Sequence, residues 1–583
     1  MRIALFIKQV PDVARIELDP ETGTLRREGA RAIMNPWDRV ALDAALELRA
    51  RFNAEITAFT MGPPHAEAVL KTALAAGAHR ALLLTDRAFA GSDTFATANI
   101  LAAAARHAGP FDLLLFGKHA TDGDTGHVGP ETAALLGLPS ISNVADVTAC
   151  HENTLRVVAE VEGGHAHLRV KLPCALCVAD WRPLPRMADM AGMLANKSVQ
   201  LLDSKSLHFT PPASLTRVAA TWTPEPRRSC AFCNVAQLAE KIMDYARGTA
   251  DNVATTPWQA APLATETPVF VFAERLRNNA FAPVALELLA AARSLGRATA
   301  VVFGADGIEQ LPVENIIVAE GHLLPRDETH CAAALANIFE HFKPACVLFG
   351  GTLLGRAIAP RVAALLKTGL TADCTALEID AAGNLLQTRP AFGGRMMARI
   401  LTPNARPQIA TVRPGVLRSP NLPPPARQNI TRFILEKSET PAVVEEAFEP
   451  AAQTRGLADA RIVVAGGRGM GSKNEFQMLE ELARALNAEV GASRGAVETG
   501  WRAATSQVGQ TGATIAPALY IACGISGQIQ HLAGITHAAR VVAINTDPDA
   551  EIFGVADAGI IGDAREIIPE LLARLKNKMY SIL

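Results

Sequence analysis

The chain has 583 residues, enough for about three to four domains at roughly 150 residues each. Hydrophobic residues make up 49% and charged residues 20%, which excludes intrinsic disorder over most of the length. Lys plus Arg number 56 and Asp plus Glu 58, for a net charge of -2, and there are only three tyrosines and five tryptophans; neither a basic face nor a base-stacking platform for nucleic acid is predicted.

The opening MRIALFIKQVPD reads as a buried strand and not a signal peptide, because Lys8 and Asp12 follow a short apolar run. No uncharged apolar run reaches the roughly 18 residues of a membrane span. Nine cysteines are sparse and odd in number, so a reducing cytoplasm is predicted over a disulfide framework. Short β-like runs at 3–7, 55–60, 81–84 and 113–116 alternate with helical spacing at 39–51, 66–76 and 95–106. That alternation predicts βαβ units and a mostly parallel sheet with helices on both faces.

The stretch 203–268 is rich in Pro, Thr and Ser and is read as an arm and linker interrupted by one helix at 234–247; a second Pro-rich zone covers 420–450. The resulting division is 1–202, an arm and linker at 203–265, 266–425, a linker at 426–456, and 457–583. The first two large blocks look like distant copies. FDLLLFGKHATDGDTGHVGPETAALLGLP (111–139) parallels PACVLFGGTLLGRAIAPRVAALLKTGL (344–370): a strand, a Gly, a loop and a helix with proline expected in its first turn. The loop TDGDTGHVGP places Gly and Thr N–H groups ahead of a helix, a phosphate cradle. The second copy has Leu353 and Leu354 where the first has Asp122 and Asp124, so an empty pseudo-site that packs against its sister is expected.

The third block opens with RIVVAGGRGMGSKNEF (461–476), whose GRGMGSK lacks the register of a P-loop. GQTG and GISGQIQH bracket further strands, and glycine there lets backbone N–H groups approach a pyrophosphate. Asn545 at a strand end and Asp563 at a helix N-cap occupy positions that contact adenosine hydroxyls. Two CxxC pairs, Cys174/Cys177 and Cys230/Cys233, give no metal site: in the strand KLPCALCVAD, positions i and i+3 face opposite ways.

ASRGAV, QVGQTG, GISGQIQHLAG and INTDPDAEIF resemble the FAD-binding domain of electron transfer flavoprotein α subunits. KQVPD, NPWDRVALDAALEL and DGDTGHVGPETA are similar to the β subunit of the same family, so the order is β then α in one polypeptide. The resemblance implies three doubly wound α/β domains: two related ones of adenine-nucleotide α-hydrolase-like type, and a Rossmann-like, DHS-like head that carries FAD. It implies FAD contacts at Arg468, Ser493, Arg494, Gln507, Val508, Gly509, Gln510, Thr511, Ser526, Gly527, Gln528, Ile529, Gln530, His531, Asn545 and Asp563. Among these, Arg494 over the ring, His531 near its pyrimidine edge and Thr511 near N5 would act on the chemistry, with positive charge steadying an added electron.

In the first block the family holds AMP, or a second FAD in electron-bifurcating members. Phe6, Asn35, Pro36, Trp37, Asp38 and Met61 match its nucleotide contacts, together with Asp122, Gly123, Asp124, Thr125, Gly126, His127, Val128, Gly129 and Thr132. The DGDT form, TDRAFAGSDTFATA (85–98) and RPAFGGRMMARI (389–400) are closer to the bifurcating branch, although that branch commonly has Ala-Gln where this chain has Gly126 and His127. The resemblance then implies NADH as electron donor, a low-potential acceptor such as ferredoxin or flavodoxin, and a flavin dehydrogenase as partner. In the AMP form the partners are acyl-CoA dehydrogenases and a quinone-linked reductase. A non-redox adenine-nucleotide module and a stand-alone NADH-dependent dehydrogenase are the other readings of the same fold.

Overall fold

The apolar runs become strands of parallel sheets, buried on both faces, and the amphipathic runs become the covering helices. A computed structural model describes every residue except 13–31, 152, 180, 182–197, 224–228, 248–266, 322–326, 392–395, 418–422, 436–441, 451–456, 458–459, 510–511, 514, 516, 533, 536–537 and 581–583. The architecture is mixed α/β with several parallel-rich sheets, in two compact units.

In the first unit, β1 (Arg2–Phe6), α1 (Pro36–Phe52), β2 (Glu55–Met61), α2 (Glu67–Ala76), β3 (Arg80–Leu84), α3 (Thr94–Ala108), β4 (Leu113–Gly117) and α4 (Val128–Leu135) alternate as predicted. Pro36 lies in the first turn of α1, where its missing N–H needs no partner. Asp93 starts α3 by accepting the Ala96 N–H at 2.9 Å. Strands β5 (Ser140–His151), β6 (Thr154–Val161), β7 (Gly164–Lys171), β8 (Cys174–Val178) and β9 (Gln200–Leu202) complete a spatial order β9-β3-β2-β1-β4-β8-β5-β6-β7, with a tenth strand from far along the chain beside β7. From β9 to β5 the pairing is parallel, and from β5 onward it is antiparallel. The chain runs β1 to β2 to β3 in one direction and then jumps back past β1 to β4. This puts the topological switch point between β1 and β4.

The stretch read as an arm is fastened down. Asp93 turns its second carboxylate oxygen to the N–H groups of Leu215 and Thr216, both at 2.8 Å, and Asp86 receives Ser204. Farther on, α5 (Val235–Arg247), the helix that interrupts the stretch read as arm and linker, has Leu238, Ala239 and Ile242 fully buried in the core of the second unit. The helix itself was legible, but the surface that it covers lies more than 200 residues away in the chain.

The second sheet, also in the first unit, repeats the plan. β10 (Pro268–Phe272), α6 (Pro283–Leu295), β11 (Arg297–Phe303), β12 (Asn315–Gly321), α7 (Glu328–Phe342), β13 (Cys346–Gly350), α8 (Leu353–Leu366), β14 (Leu370–Cys374), β15 (Gln408–Val412) and β16 (Asn429–Leu435) give the spatial order β14-β15-β13-β10-β11-β12-β16. The switch point falls between β10 and β13, the counterpart of β1 and β4. The second Pro-rich zone also differs from the linker expected. It supplies β16, parallel to β12, and β17 (Val443–Pro450), which pairs antiparallel with β7 in the first sheet.

The second unit holds β18 (Ile462–Gly466), α9 (Phe476–Leu486), β19 (Glu489–Ala492), α10 (Arg494–Glu498), β20 (Leu519–Cys523), α11 (Ile529–Leu532), β21 (Val541–Asn545), β22 (Ala558–Ile561) and α12 (Ala564–Tyr580). All of its strands are parallel in the order β19-β18-β20-β21-β22, and Ala231–Phe232 add a short sixth strand beside β22. The switch point lies between β18 and β20. Among the described residues, no helix is long and apolar enough to cross a membrane.

The two sister sheets of the first unit meet through a buried polar set. Glu328 accepts the Ser142 N–H and hydroxyl at 3.1 and 3.0 Å, and Arg361 donates to the Leu138 carbonyl at 3.0 Å and to the Ser140 hydroxyl. Burial pushes the Glu328 carboxyl up to about 7, against the lowering pull of Ser142 and Arg361. The folded state therefore holds this proton more tightly than the unfolded chain. Its contribution is greatest below about 4.5 and is lost as pH rises through about 7, by about 3 kcal/mol at most. Melting of the first unit should fall between pH 5 and pH 8, and Glu328→Gln should flatten that fall; an equal slope in both proteins would exclude Glu328 as its source.

Candidate functional site

Loops that leave parallel strands at a switch point diverge, and the gap between them is where such folds bind ligands. In the second unit the loops after β18 and β20 close on each other through glycine. The Gly467 N–H donates to the Cys523 carbonyl at 2.9 Å and the Gly469 N–H to the Gly524 carbonyl at 3.1 Å. A Cβ on Gly467 would come within 2.2 Å of the Gly524 oxygen, and Gly524 itself has φ +61° with the Gly469 carbonyl carbon 2.7 Å from a Cβ position. Only glycine fits at either place.

The other described residues of the predicted set in this unit gather around the same edge. Ser493 donates its N–H to the Gly466 carbonyl at 2.9 Å, and Val508 to Ala492 at 2.9 Å. The exposed Arg468 lies flat over Gly495, beside Arg494. Arg494 is exposed and pairs through its Nε with Glu498 at 2.7 Å, which leaves its terminal N–H groups for another anion. Gly509 (φ +141°) touches the backbone of Gln530 and His531. Asn545 donates to the Ile525 carbonyl at 2.8 Å, and Asp563 caps α12 while bound to Arg565. Gln507 is buried. Gln510 and Thr511, and the side chain of Ile529, lie outside the described residues.

Two features of this edge fit a pyrophosphate-bearing nucleotide. Among the described residues, the N–H groups of Ser526, Gly527 and Gln528 meet no acceptor, and Gly527 (φ +83°) leaves no room for a side chain. His531 is buried; its Nε2 pairs with the Tyr520 hydroxyl at 2.7 Å and its Nδ1 has no partner of hydrogen-bonding geometry. Burial lowers its pKa to about 4, so His531 offers a neutral donor and not a charge. Tyr520 was not foreseen, since nothing local marks one strand residue as the partner of a helix residue. A separate recess of about 450 Å³, lined by Lys473, Gly500, Trp501, Arg502, Ala503 and Ser506, contains none of the predicted residues.

In the first unit the loop between β4 and α4 carries the other predicted set. Asn35 is fully buried, donates to the His119 carbonyl at 2.8 Å and accepts the Thr121 N–H at 3.2 Å. Asp38 accepts the Lys8 N–H at 2.6 Å, and burial pushes its carboxyl up to about 7. Asp122 pairs with Lys8 at 2.7 Å and receives the Gly123 N–H at 2.9 Å. Trp37 meets His119 edge-on at 5.3 Å. Asp124 sits in a left-handed turn (φ 49°) beside the half-buried Thr125 and Gly126 (φ 71°). Burial alone would raise the Asp124 carboxyl, but His119, whose Nδ1 lies 2.9 Å from its Oδ1, together with Arg356 and Arg389, holds it well below the usual range. Arg356 and Arg389 both donate to the Asp124 carbonyl, at 3.2 and 3.4 Å. They come from the sister half, and sequence reasoning assigned them no role.

Burial, then Arg389 and Arg356, keep His127 neutral. The N–H groups of Val128 and Gly129 meet no acceptor among the described residues, an opening suited to phosphate. Gly129 is also a packing position, because a Cβ there would lie 2.6 Å from the Cys177 sulfur. Thr132 is buried and satisfies its own helix by donating to Val128. Phe6 stacks on Phe116 at 4.5 Å and on Phe59 at 5.0 Å, and Met61 packs against the same cluster, so both read here as core residues.

Comparison with known proteins supplies the family. Residues 22–201 and 269–438 match the description "Electron transfer flavoprotein domain", and residues 456–536 match "Electron transfer flavoprotein FAD-binding domain". An electron transfer flavoprotein subunit alpha from Thermoanaerobacterium thermosaccharolyticum is 42% identical over 322 residues, 53% of this chain and 97% of that protein. Protein FixB from Clostridium saccharobutylicum is 42% identical over 321 residues, 53% of this chain and 96% of that protein. A protein named lactate dehydrogenase (NAD(+),ferredoxin) subunit LctC, from Acetobacterium woodii, is 37% identical over 311 residues, 50% of this chain and 73% of that protein.

The desolvated state of His531 gives a direct expectation. Nitrogen-15 NMR of the ligand-free protein should show a neutral ring from pH 7 down to about 4. A ring that charges near the ordinary histidine value would mean that water reaches it and that burial does not set its state.

Proposed function

The chain belongs to the electron transfer flavoprotein family, and from that premise we propose that it is a β–α fusion carrying electrons between two flavins and partner redox proteins. In this reading the crevice between β18 and β20 holds FAD and the crevice between β1 and β4 holds a second FAD that accepts electrons from NADH. The chain then comprises three doubly wound domains, two related and one FAD-bearing. The observation that carries the reading is the pair of switch-point crevices with unclaimed N–H groups, Ser526 to Gln528 in one and Val128 with Gly129 in the other. Bound flavin supplies the one- and two-electron chemistry.

The protein's part is binding and electrostatics. Gly467, Gly469 and Gly524 let backbone approach the ligand, and the neutral His531 can donate one hydrogen bond. Arg468 and Arg494 stand where added negative charge would be favoured. In the first unit, Arg356 and Arg389 direct positive charge at the β4–α4 loop. The likeness to LctC, whose name couples NAD(+) with ferredoxin, supports the bifurcating reading with a flavin dehydrogenase partner and ferredoxin or flavodoxin as acceptor.

Cofactor release by denaturation decides the reading: two FAD per chain is the expected count, and one FAD with one AMP would replace bifurcation by simple transfer from acyl-CoA dehydrogenases. Gly524→Ala should cost the second unit its FAD by at least about tenfold in affinity, given the positive φ and the 2.7 Å approach. Arg494→Ala should lower the potential of one flavin. At an exposed site a unit charge is worth about 1 kcal/mol, roughly 40 mV for one electron. An unchanged midpoint in redox titration would remove Arg494 from the mechanism.

A further inference from the structure

The second-sheet crevice was expected to be a pseudo-site that packs against its sister, and a residue of the sister half does reach it. Strands β6 and β7 join through a two-residue turn, Glu162–Gly163, in which Gly163 takes φ +82° and leaves Glu162 at the tip. That tip reaches the start of α8 in the sister half. The Glu162 Oε1 accepts the Leu353 N–H at 2.6 Å and lies 3.4 Å from the Leu354 nitrogen. These are the first two N–H groups of α8, which begins seven residues before Pro360, whereas α4 begins two residues before Pro130, at Val128 and Gly129, whose N–H groups meet no acceptor among the described residues.

The surroundings fit an occupied anion position. Between β13 and α8 there are only Gly351 and Thr352, against the long loop from Lys118 to His127 in the first copy. Gly355 packs so closely on the Gly350 carbonyl that a Cβ would come within 2.0 Å of its oxygen. Thr352 caps the helix through Gly355 and donates its hydroxyl to Glu274 at 2.6 Å. Glu274 is buried at the end of β10, the strand edge opposite; burial, then the charge of Glu162, pushes its carboxyl up to about 8, so it sits beside Glu162 as a neutral acid.

We propose that Glu162 is the resident anion of the second crevice: a carboxylate from the first half claims the leading N–H groups of α8, which an anionic ligand would otherwise claim. The chain thereby keeps one sister crevice for nucleotide and uses the other as a clamp between its two related halves. Glu162 is a specificity-determining residue that acts by occupancy. The comparison with the β1–β4 crevice rests on the nucleotide reading above, but the occupancy itself does not.

The test uses the full chain with its cofactors bound and inorganic phosphate as the probe. Glu162→Ala should melt several degrees lower than wild type in chloride buffer and should recover much of that loss when phosphate is added. Wild type and Glu162→Gln, whose amide oxygen still accepts both N–H groups, should gain little from phosphate. Phosphate that lifts Glu162→Ala no more than it lifts wild type would overturn the proposal. If that variant does not accumulate, Glu162→Asp withdraws the carboxylate by one methylene. Amide exchange at Leu353 and Leu354 should then rise and phosphate should suppress it; exchange equal to wild type would overturn the proposal. Failure of the nucleotide reading would show separately, as a cofactor count without a nucleotide in the first unit.

Discussion

A parallel sheet that reverses its strand order leaves backbone N–H groups facing the gap with nothing in the chain nearby to receive them. An N–H group shut off from water without an acceptor is costly, on the order of 1–3 kcal/mol, so a switch point that is covered must be given an acceptor by whatever covers it. Three such gaps occur here, and they answer the demand differently. The gaps at β1–β4 and β18–β20 leave donors open, which is the condition for holding an anionic ligand. The gap at β10–β13 is supplied by the chain's own Glu162.

Charge placement follows the same division. Around the β1–β4 gap, Arg356 and Arg389 face Asp124 and also feel Asp373, whose direct partner is Arg413. Two guanidiniums that share a carbonyl are not fully neutralised, so the loop stands in a positive field. Around the β10–β13 gap, two acidic groups face each other and one is held neutral. A phosphate would be drawn to the first gap and repelled from the second even before shape is considered.

Local sequence carried much of this. Strands, helices and the internal duplication were readable because each depends on local residue patterns. The third-block motifs mapped to one strand edge because glycine spacing is itself local. What could not be read involves partners far apart in the chain. β17 pairs with β7 although Val443 and Val170 are 273 residues apart, and a Pro-rich flank disguised it as a linker. The Tyr520–His531 bond and the two arginines on Asp124 join residues whose types, taken singly, are ordinary. Glu162 was invisible for a further reason: an acidic residue before glycine in a hairpin reads as a solvent-exposed turn, and nothing local says that the turn points at a helix.

The hairpin that presents Glu162 is fixed from more than one side, which a clamp requires. Its β6 edge pairs with β5 and its β7 edge with β17, whose Pro450 stands opposite Gly164 next to the turn. β17 is in turn held by the second half: Arg277 makes a two-point bond to Glu445 at 3.0 and 3.1 Å and stacks over the Phe448 ring at 3.6 Å. A surface ion pair alone would contribute little, but a bidentate, partly buried arginine that also covers an aromatic face is directional as well as attractive. The carboxylate at the tip therefore does not search for α8. It arrives on a strand pair whose register is set by contacts from the half that it must clamp, and that rigidity lets a single side chain stand in for a bound ion.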